Sequence, residues 1–111
     1  MIKLGYVAAP EPSLTVTLMT QLGVNHAVYY PSLQTIPNAP EDDQPWGYQA
    51  LARAKAGFER LGMRMAVIEG RPPMEKIKLA LPGRDEEIDV VCRFLRNMGA
   101  LRIPVWCSMW M

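Results

Sequence analysis

The chain has few of the side chains from which metal centres and covalent catalysts are built. Its 111 residues include one histidine, His26, and two cysteines, Cys92 and Cys107. Catalytic zinc or manganese sites need about three protein ligands, and no histidine is available as the base for a cysteine nucleophile. Two cysteines are also too few for a disulfide scaffold. We therefore expect no metal ligands in this chain and structural roles for all three side chains.

The sequence also lacks an excess of charge and long apolar runs. Twelve Lys and Arg residues balance eleven Asp and Glu residues, for a formal net charge of +1. This balance is unlike the basic excess of proteins that bind nucleic acid or anionic membranes, so we expect neither partner. The apolar runs are too short to span a bilayer, and the N-terminus has no signal-peptide core. The expected location is the cytoplasm.

A repeated pattern organises the rest of the sequence. Gly23, Gly62 and Gly99 each follow an apolar residue and precede a short apolar run. A glycine just past a helix relieves the left-handed backbone that ends it, and a short apolar run is typical of a strand buried on both faces. Such alternation predicts βαβ units and a parallel sheet. The predicted strands are Ile2–Ala8, His26–Tyr30, Met65–Ile68 and Ile103–Cys107, and the predicted helices are Leu14–Leu22, Trp46–Leu61 and Glu86–Met98.

Two of the predicted helices carry recognisable starting signals. Ser13 is the expected N-cap of the first helix, and Asp85 is the expected N-cap of the third. Leu14, Leu18 and Leu22 follow one another at i, i+4 spacing and so share the apolar face of the first helix.

Four parallel strands and three helices amount to half of an eight-stranded (β/α)8 barrel, which typically needs about 250 residues. The sequence therefore predicts an α/β fold, a partial TIM barrel over residues 1–111, as a fragment of a longer protein. A half-barrel has two open strand edges, and open edges recruit partners. We expect the remainder of the barrel, or a second copy of the chain, to pair with them.

Charged residues follow the third predicted strand, where parallel α/β folds bind their ligands. Glu69 could accept a hydrogen bond from a ligand hydroxyl, and Arg71 and Arg84 could bind a carboxylate through their planar guanidinium groups. The alternatives are a salt bridge of Glu69 with either arginine, a solvated charged segment, and a helix-start role for Arg84. The proline-rich loop Pro31–Pro45 lies on the same face, either as an ordered functional loop or as a disordered insertion.

Five segments together carry a family resemblance. They are Leu33–Pro37, Ala66–Glu69, Glu75–Asp85, Arg96–Gly99 and Cys107–Met111. In this order they resemble the N-terminal part of the mannonate dehydratases, which belong to the xylose-isomerase-like TIM barrels.

The resemblance implies a lyase that dehydrates D-mannonate to 2-keto-3-deoxy-D-gluconate in hexuronate catabolism. It also implies a divalent metal, Mn or Fe, as the Lewis acid that stabilises the developing enediolate. The family's metal ligands lie beyond residue 111, so the resemblance implies that the isolated chain is inactive. Its expected contribution is substrate binding by Glu69, Arg71 and Arg84.

Departures from the family keep two alternatives open. Gln34 and Thr35 stand where the family has two histidines, Met74 replaces another, and Ser108 and Met109 replace a Tyr-Asn pair. The first alternative is a sugar isomerase or epimerase of the same barrel group. The second, suggested by the missing metal ligands, is a non-catalytic half-barrel that associates with itself.

Overall fold

Four parallel strands form one open sheet in the computed structural model, which describes residues 1–110. The strands follow the chain in the order β1-β2-β3-β4 across the sheet. They are β1 (Gly5–Val7), β2 (His26–Tyr29), β3 (Arg64–Glu69) and β4 (Val105–Cys107). The helices are α1 (Leu14–Gln21), α2 (Tyr48–Arg60), the one-turn α3 (Glu75–Lys78) and α4 (Arg84–Ala100), and a 3₁₀ turn spans Glu41–Asp43. The predicted α/β half-barrel of four parallel strands is confirmed, with α3 as an addition.

The register of the sheet brings the carboxyl ends of the last three strands to one edge. One row across all four strands consists of Val7, Val28, Val67 and Val105. Nearer the carboxyl end, Glu69 of β3 pairs with Cys107 of β4. The strand ends therefore place Glu69 at the edge where ligands of parallel sheets bind.

The core lies between the sheet and the helices α2 and α4. Phe58 of α2 and Phe94 of α4 are both fully buried. The Phe58 ring packs edge-on against Tyr29 at a centroid distance of 5.7 Å, and the Phe94 ring packs edge-on against Trp106 at 5.5 Å. Each aromatic pair contributes about 0.5–1.5 kcal/mol beyond the area it buries. The two pairs fix α2 to β2 and α4 to β4. Within residues 1–110, no helix is both long enough and apolar enough to cross a bilayer.

The predicted apolar face of α1 is exposed instead of packed. Leu14, Leu18 and Leu22 are 74%, 47% and 79% exposed, whereas Val16 and Met19 are buried. The helix has apolar residues on both sides, so spacing alone does not determine which side meets the sheet. The cap prediction is confirmed, because the Ser13 Oγ accepts a hydrogen bond from the Val16 amide at 3.2 Å.

The glycine pattern holds for two helices and fails for the third. Gly23 and Gly62 both have φ +73°, a left-handed backbone that follows the ends of α1 and α2. Gly99 lies inside α4, which continues to Ala100. There Arg102 has the left-handed backbone, with φ 57°. An arginine thus occupies the position that the pattern assigned to glycine.

The start of α4 also differs from its prediction. Asp85 lies in the first turn, and the N-cap position is held by Gly83. In the same turn, the Glu87 Oε2 accepts hydrogen bonds from the amides of Lys76 and Ile77 at 2.9 and 3.1 Å. Free amides at a helix start need such acceptors, so this carboxylate of α4 stabilises the one-turn helix α3.

Candidate functional site

A cleft of about 500 Å³ opens at the carboxyl ends of β2, β3 and β4. Its walls come from the loop after β2, the turn after β3 and the segment after β4. The lining residues are Tyr30, Pro31, Ser32, Leu33, Gln34, Glu69, Gly70, Arg71, Cys107 and Met109.

Glu69, the last residue of β3, supplies the carboxylate of the cleft. Its side chain is partly buried. Among residues 1–110 this carboxylate has no hydrogen bond or ion pair, so the salt bridge considered from the sequence is not formed. The Glu69 oxygens are therefore available to accept hydrogen bonds from a ligand.

Arg71 supplies the positive charge of the cleft. Its Nη2 lies 3.0 Å from the Glu75 Oε1 in α3, and its side chain is 34% exposed. The guanidinium carries five N–H donors in a planar fork. Such a fork is well suited to binding carboxylates, so Arg71 gives the cleft a group that can recognise an anion.

Arg84 lies apart from this pair. It is the first residue of α4, and its exposed guanidinium Nη1 donates to the Ala80 carbonyl at 3.2 Å. It does not line the cleft. The structure thus brings Glu69 and Arg71 together and leaves Arg84 at the helix start, which was the alternative role considered for it.

The loop 31–45 is folded against the protein through one buried amide. Gln44 is 6% exposed. Its Oε1 accepts from the Ile36 amide at 2.9 Å, and its Nε2 donates to the carbonyls of Ile36 and Ala39 at 2.9 and 3.0 Å. The same loop buries Leu33, which lines the cleft. No signal in the sequence marks Gln44, because all its partners are backbone atoms.

Ionic contacts tie the far end of the loop to α2 and α4. The Trp46 Nε1 donates to the Glu41 Oε1 at 3.0 Å, and Arg93 forms an ion pair with the same carboxylate. The hydrogen bond from Trp46, followed by the hydrogen bond and charge of Arg93, holds the pKa of Glu41 below its usual range. Arg53 pairs with Asp43 at 2.9 Å. The loop is therefore anchored on both helices.

The cleft offers hydrogen-bonding groups and one guanidinium, but no set of metal ligands among residues 1–110. Among residues 1–110, no three His, Cys, Asp or Glu side chains come close enough to hold a metal ion. The cleft itself offers one carboxylate, Glu69, and one thiol, Cys107. These residues do not form a ligand set for Mn or Fe. They do combine acceptor, hydroxyl, amide and guanidinium groups, which bind hydroxyls and a carboxylate.

Four parallel strands in the order β1-β2-β3-β4, with a cleft at their carboxyl ends, are the arrangement of consecutive units of an α/β barrel. The family model for D-mannonate dehydratase (UxuA) matches residues 6–111. The chain belongs to this family.

Individual relatives agree with this assignment. Over 80 residues the chain is 38% identical to a mannonate dehydratase of Streptococcus pneumoniae (strain 70585), a match that covers 69% of this chain and 22% of that protein. Over 62 residues it is 32% identical to a mannonate dehydratase of Thermotoga maritima, covering 56% and 17% of the two chains. The chain therefore spans about a fifth of the length of these curated relatives.

A solved structure extends the similarity to the whole chain. The crystal structure of mannonate dehydratase from Streptococcus suis serotype 2 matches with a TM-score of 0.77 and 26% sequence identity. The match covers 100% of this chain and 31% of that one. The resemblance inferred from the sequence motifs is confirmed.

Proposed function

We propose that the complete protein is a cytoplasmic, metal-dependent lyase that dehydrates D-mannonate to 2-keto-3-deoxy-D-gluconate in hexuronate catabolism. One observation carries the proposal. The chain, which the D-mannonate dehydratase family model matches over residues 6–111, has the Glu69 carboxylate and the Arg71 guanidinium in one cleft at its strand ends. We infer the reaction from the relatives, which are mannonate dehydratases, and the cleft contains groups that can bind D-mannonate.

The reaction removes a proton from the carbon next to the substrate carboxylate and expels hydroxide from the following carbon, and the resulting enol becomes the keto product. A bound divalent metal, Mn or Fe, would supply Lewis-acid stabilisation of the enediolate. Its ligands would come from outside the described residues, because residues 1–110 offer no suitable set. This chain's own contribution is substrate binding.

Arg71 and Glu69 have complementary roles in this proposal. The Arg71 guanidinium binds the substrate carboxylate, while its contact with Glu75 at 3.0 Å limits its rotation. The Glu69 carboxylate accepts a hydrogen bond from a substrate hydroxyl. The Glu69 contact is made in the ground state and in the transition state alike, so its loss should mainly raise KM. The Arg71 contact strengthens as negative charge develops on the carboxylate oxygens, so its loss should raise KM and also lower kcat.

The test compares two arginines of the full-length, metal-loaded enzyme. Arg71→Ala should raise KM for D-mannonate by roughly 10–100-fold, the loss of about 1.5–3 kcal/mol expected for a hydrogen bond to a charged group. Arg84→Ala is the matched control, since it removes an arginine that lies outside the cleft, and should leave KM unchanged. Glu69→Gln keeps the shape of the side chain and should raise KM less. Equal effects of the two arginine variants would show that the cleft does not bind the substrate carboxylate.

Product analysis decides the reaction class. A dehydratase releases a product lighter by one water, whereas an isomerase or epimerase conserves the mass of the sugar acid. If the manganese- or iron-loaded protein leaves mannonate and related sugar acids unchanged, the lyase proposal is wrong.

We further propose that the remaining strands and helices of the barrel cover the open flank of β1 and α1. The exposed Leu14, Leu18 and Leu22 support this, together with the match to 31% of a longer dehydratase chain. Substituting Leu18 with Asp in the full-length protein should lower the yield of folded monomer. A wild-type protein that is dimeric through this flank would instead identify a second copy as the partner.

A further inference from the structure

An indole on β4 holds the backbone turn between the two charged residues of the cleft. The Trp106 Nε1 donates to the Gly70 carbonyl oxygen at 2.7 Å. Gly70 lies between Glu69 and Arg71 in sequence, and all three residues line the cleft. Trp106 does not line the cleft itself, so any effect it has on a ligand must pass through this turn.

The backbone of Gly70 is fixed on several sides. Its amide donates to the Cys107 carbonyl at 3.1 Å, which continues the pairing of β3 with β4 past Glu69. Its φ is +133°, a region that side chains rarely adopt, and an added Cβ would lie 3.3 Å from the Pro31 carbonyl oxygen. The turn is thus clamped between the loop after β2 and the end of β4. Among the groups that clamp it, the indole is the one that can be altered without changing the backbone.

The indole is itself held firmly. The Trp106 ring meets the fully buried Phe94 edge-on, with centroids 5.5 Å apart and an interplanar angle of 90°. Because Phe94 lies in the middle of α4, the position of the donor N–H is set by the core and not by the cleft. A rigid donor of this kind keeps a site ordered before the ligand arrives, which lowers the cost of binding.

We propose that Trp106 is a positioning residue: its indole N–H holds the Gly70 carbonyl and thereby sets the orientation of Glu69 and Arg71 in the cleft. This inference rests on the proposed function of the cleft in binding D-mannonate. Without the donor, the Gly70 peptide can rotate, and the flanking side chains sample orientations that do not bind. The expected effect is on affinity, because the residue touches neither the substrate nor the reacting atoms.

The test uses Trp106→Phe in the full-length, metal-loaded protein. Phenylalanine retains an aromatic ring against Phe94 but has no N–H to donate. KM for D-mannonate should rise about tenfold, with kcat changed much less, as expected when a hydrogen bond that supports ground-state binding is lost. If this variant folds poorly, benzothienylalanine at position 106 replaces the N–H with sulfur in a bicyclic ring of nearly the same shape.

Trp46→Phe is the matched control. Trp46 is buried, whereas Trp106 is partly buried, and the Trp46 indole also donates one hydrogen bond, to the Glu41 carboxylate at 3.0 Å. It does not line the cleft. Loss of its N–H should affect stability to a similar degree and leave KM unchanged.

A second readout does not depend on the substrate. In ¹⁵N-labelled protein, the backbone amide signals of Glu69, Gly70 and Arg71 should shift in Trp106→Phe and stay in place in Trp46→Phe. An unchanged KM in Trp106→Phe overturns the inference. If the wild-type protein does not act on mannonate, the proposed function fails, and the amide signals alone decide whether Trp106 positions the turn: shifted signals support it, and unmoved signals overturn it.

Discussion

Gln44 should matter more for stability than any other polar side chain of the loop 31–45. We expect Gln44→Ala to destabilise the protein and to loosen the segment that carries Leu33 and Gln34 into the cleft. The reason is that one buried amide satisfies the amide and carbonyl of Ile36 and the carbonyl of Ala39 at once.

The magnitude follows from the three hydrogen bonds, which measure 2.9, 2.9 and 3.0 Å. Each is worth about 0.5–1.5 kcal/mol net, so their simple sum is about 1.5–4.5 kcal/mol. Water can reach the freed backbone groups of Ile36, which is about half exposed at 48%. Rehydration therefore recovers part of the loss, and we expect a decrease of about 2 kcal/mol in the free energy of unfolding.

Urea unfolding of the variant and of a control measures this effect. Gln34→Ala makes the same chemical change in the same loop, but Gln34 is exposed and makes no hydrogen bond among residues 1–110. Its midpoint should stay close to that of the wild type, and neither variant should change the denaturant slope. In Gln44→Ala the Ile36 amide should also exchange faster with solvent. If the two variants unfold within about 0.5 kcal/mol of each other, the amide does not hold the loop, since surface changes lie in that range.

Two further predictions concern a helix cap and a carboxylate. Ser13→Ala removes the acceptor for the Val16 amide and should cost about 1 kcal/mol of stability, whereas Ser13→Gly should cost only a few tenths; equal urea midpoints for the two variants would contradict the cap. The folded-state pKa of Glu41 is depressed, so its stabilisation is present above the unfolded-state value and is lost as pH falls through the folded-state value. Because the Glu41 side chain is 49% exposed, this stabilisation should be about 0.5 kcal/mol. In Glu41→Gln the free energy of unfolding should therefore fall less steeply below about pH 4 than in the wild type. A parallel fall in the two proteins would contradict this role of Glu41.

The sheet could be predicted from the sequence because strands buried on both faces are short continuous apolar runs. The glycine pattern correctly marked the left-handed residues that follow α1 and α2, which are Gly23 and Gly62. It failed for α4, because the left-handed residue there is Arg102 and not Gly99. The exposed leucine face of α1 and the one-turn helix α3 escaped prediction for a common reason. Each depends on which other element packs nearby, and local spacing does not contain that information.

The candidate site likewise has one part that the local sequence predicts and another that depends on packing between distant elements. Glu69 and Arg71 were predictable, because the end of a buried parallel strand marks the edge where ligands bind. Arg84 comes thirteen residues after Arg71 in sequence, and the intervening helix α3 directs it to the start of α4 instead. The groups that hold the cleft in shape gave no signal, since the Trp106–Gly70 bond joins residues 36 apart and Gln44 binds only backbone. A sequence pattern can thus locate the charged side chains that line a cleft at the strand ends, whereas the contacts around them follow only from the folded arrangement of distant segments.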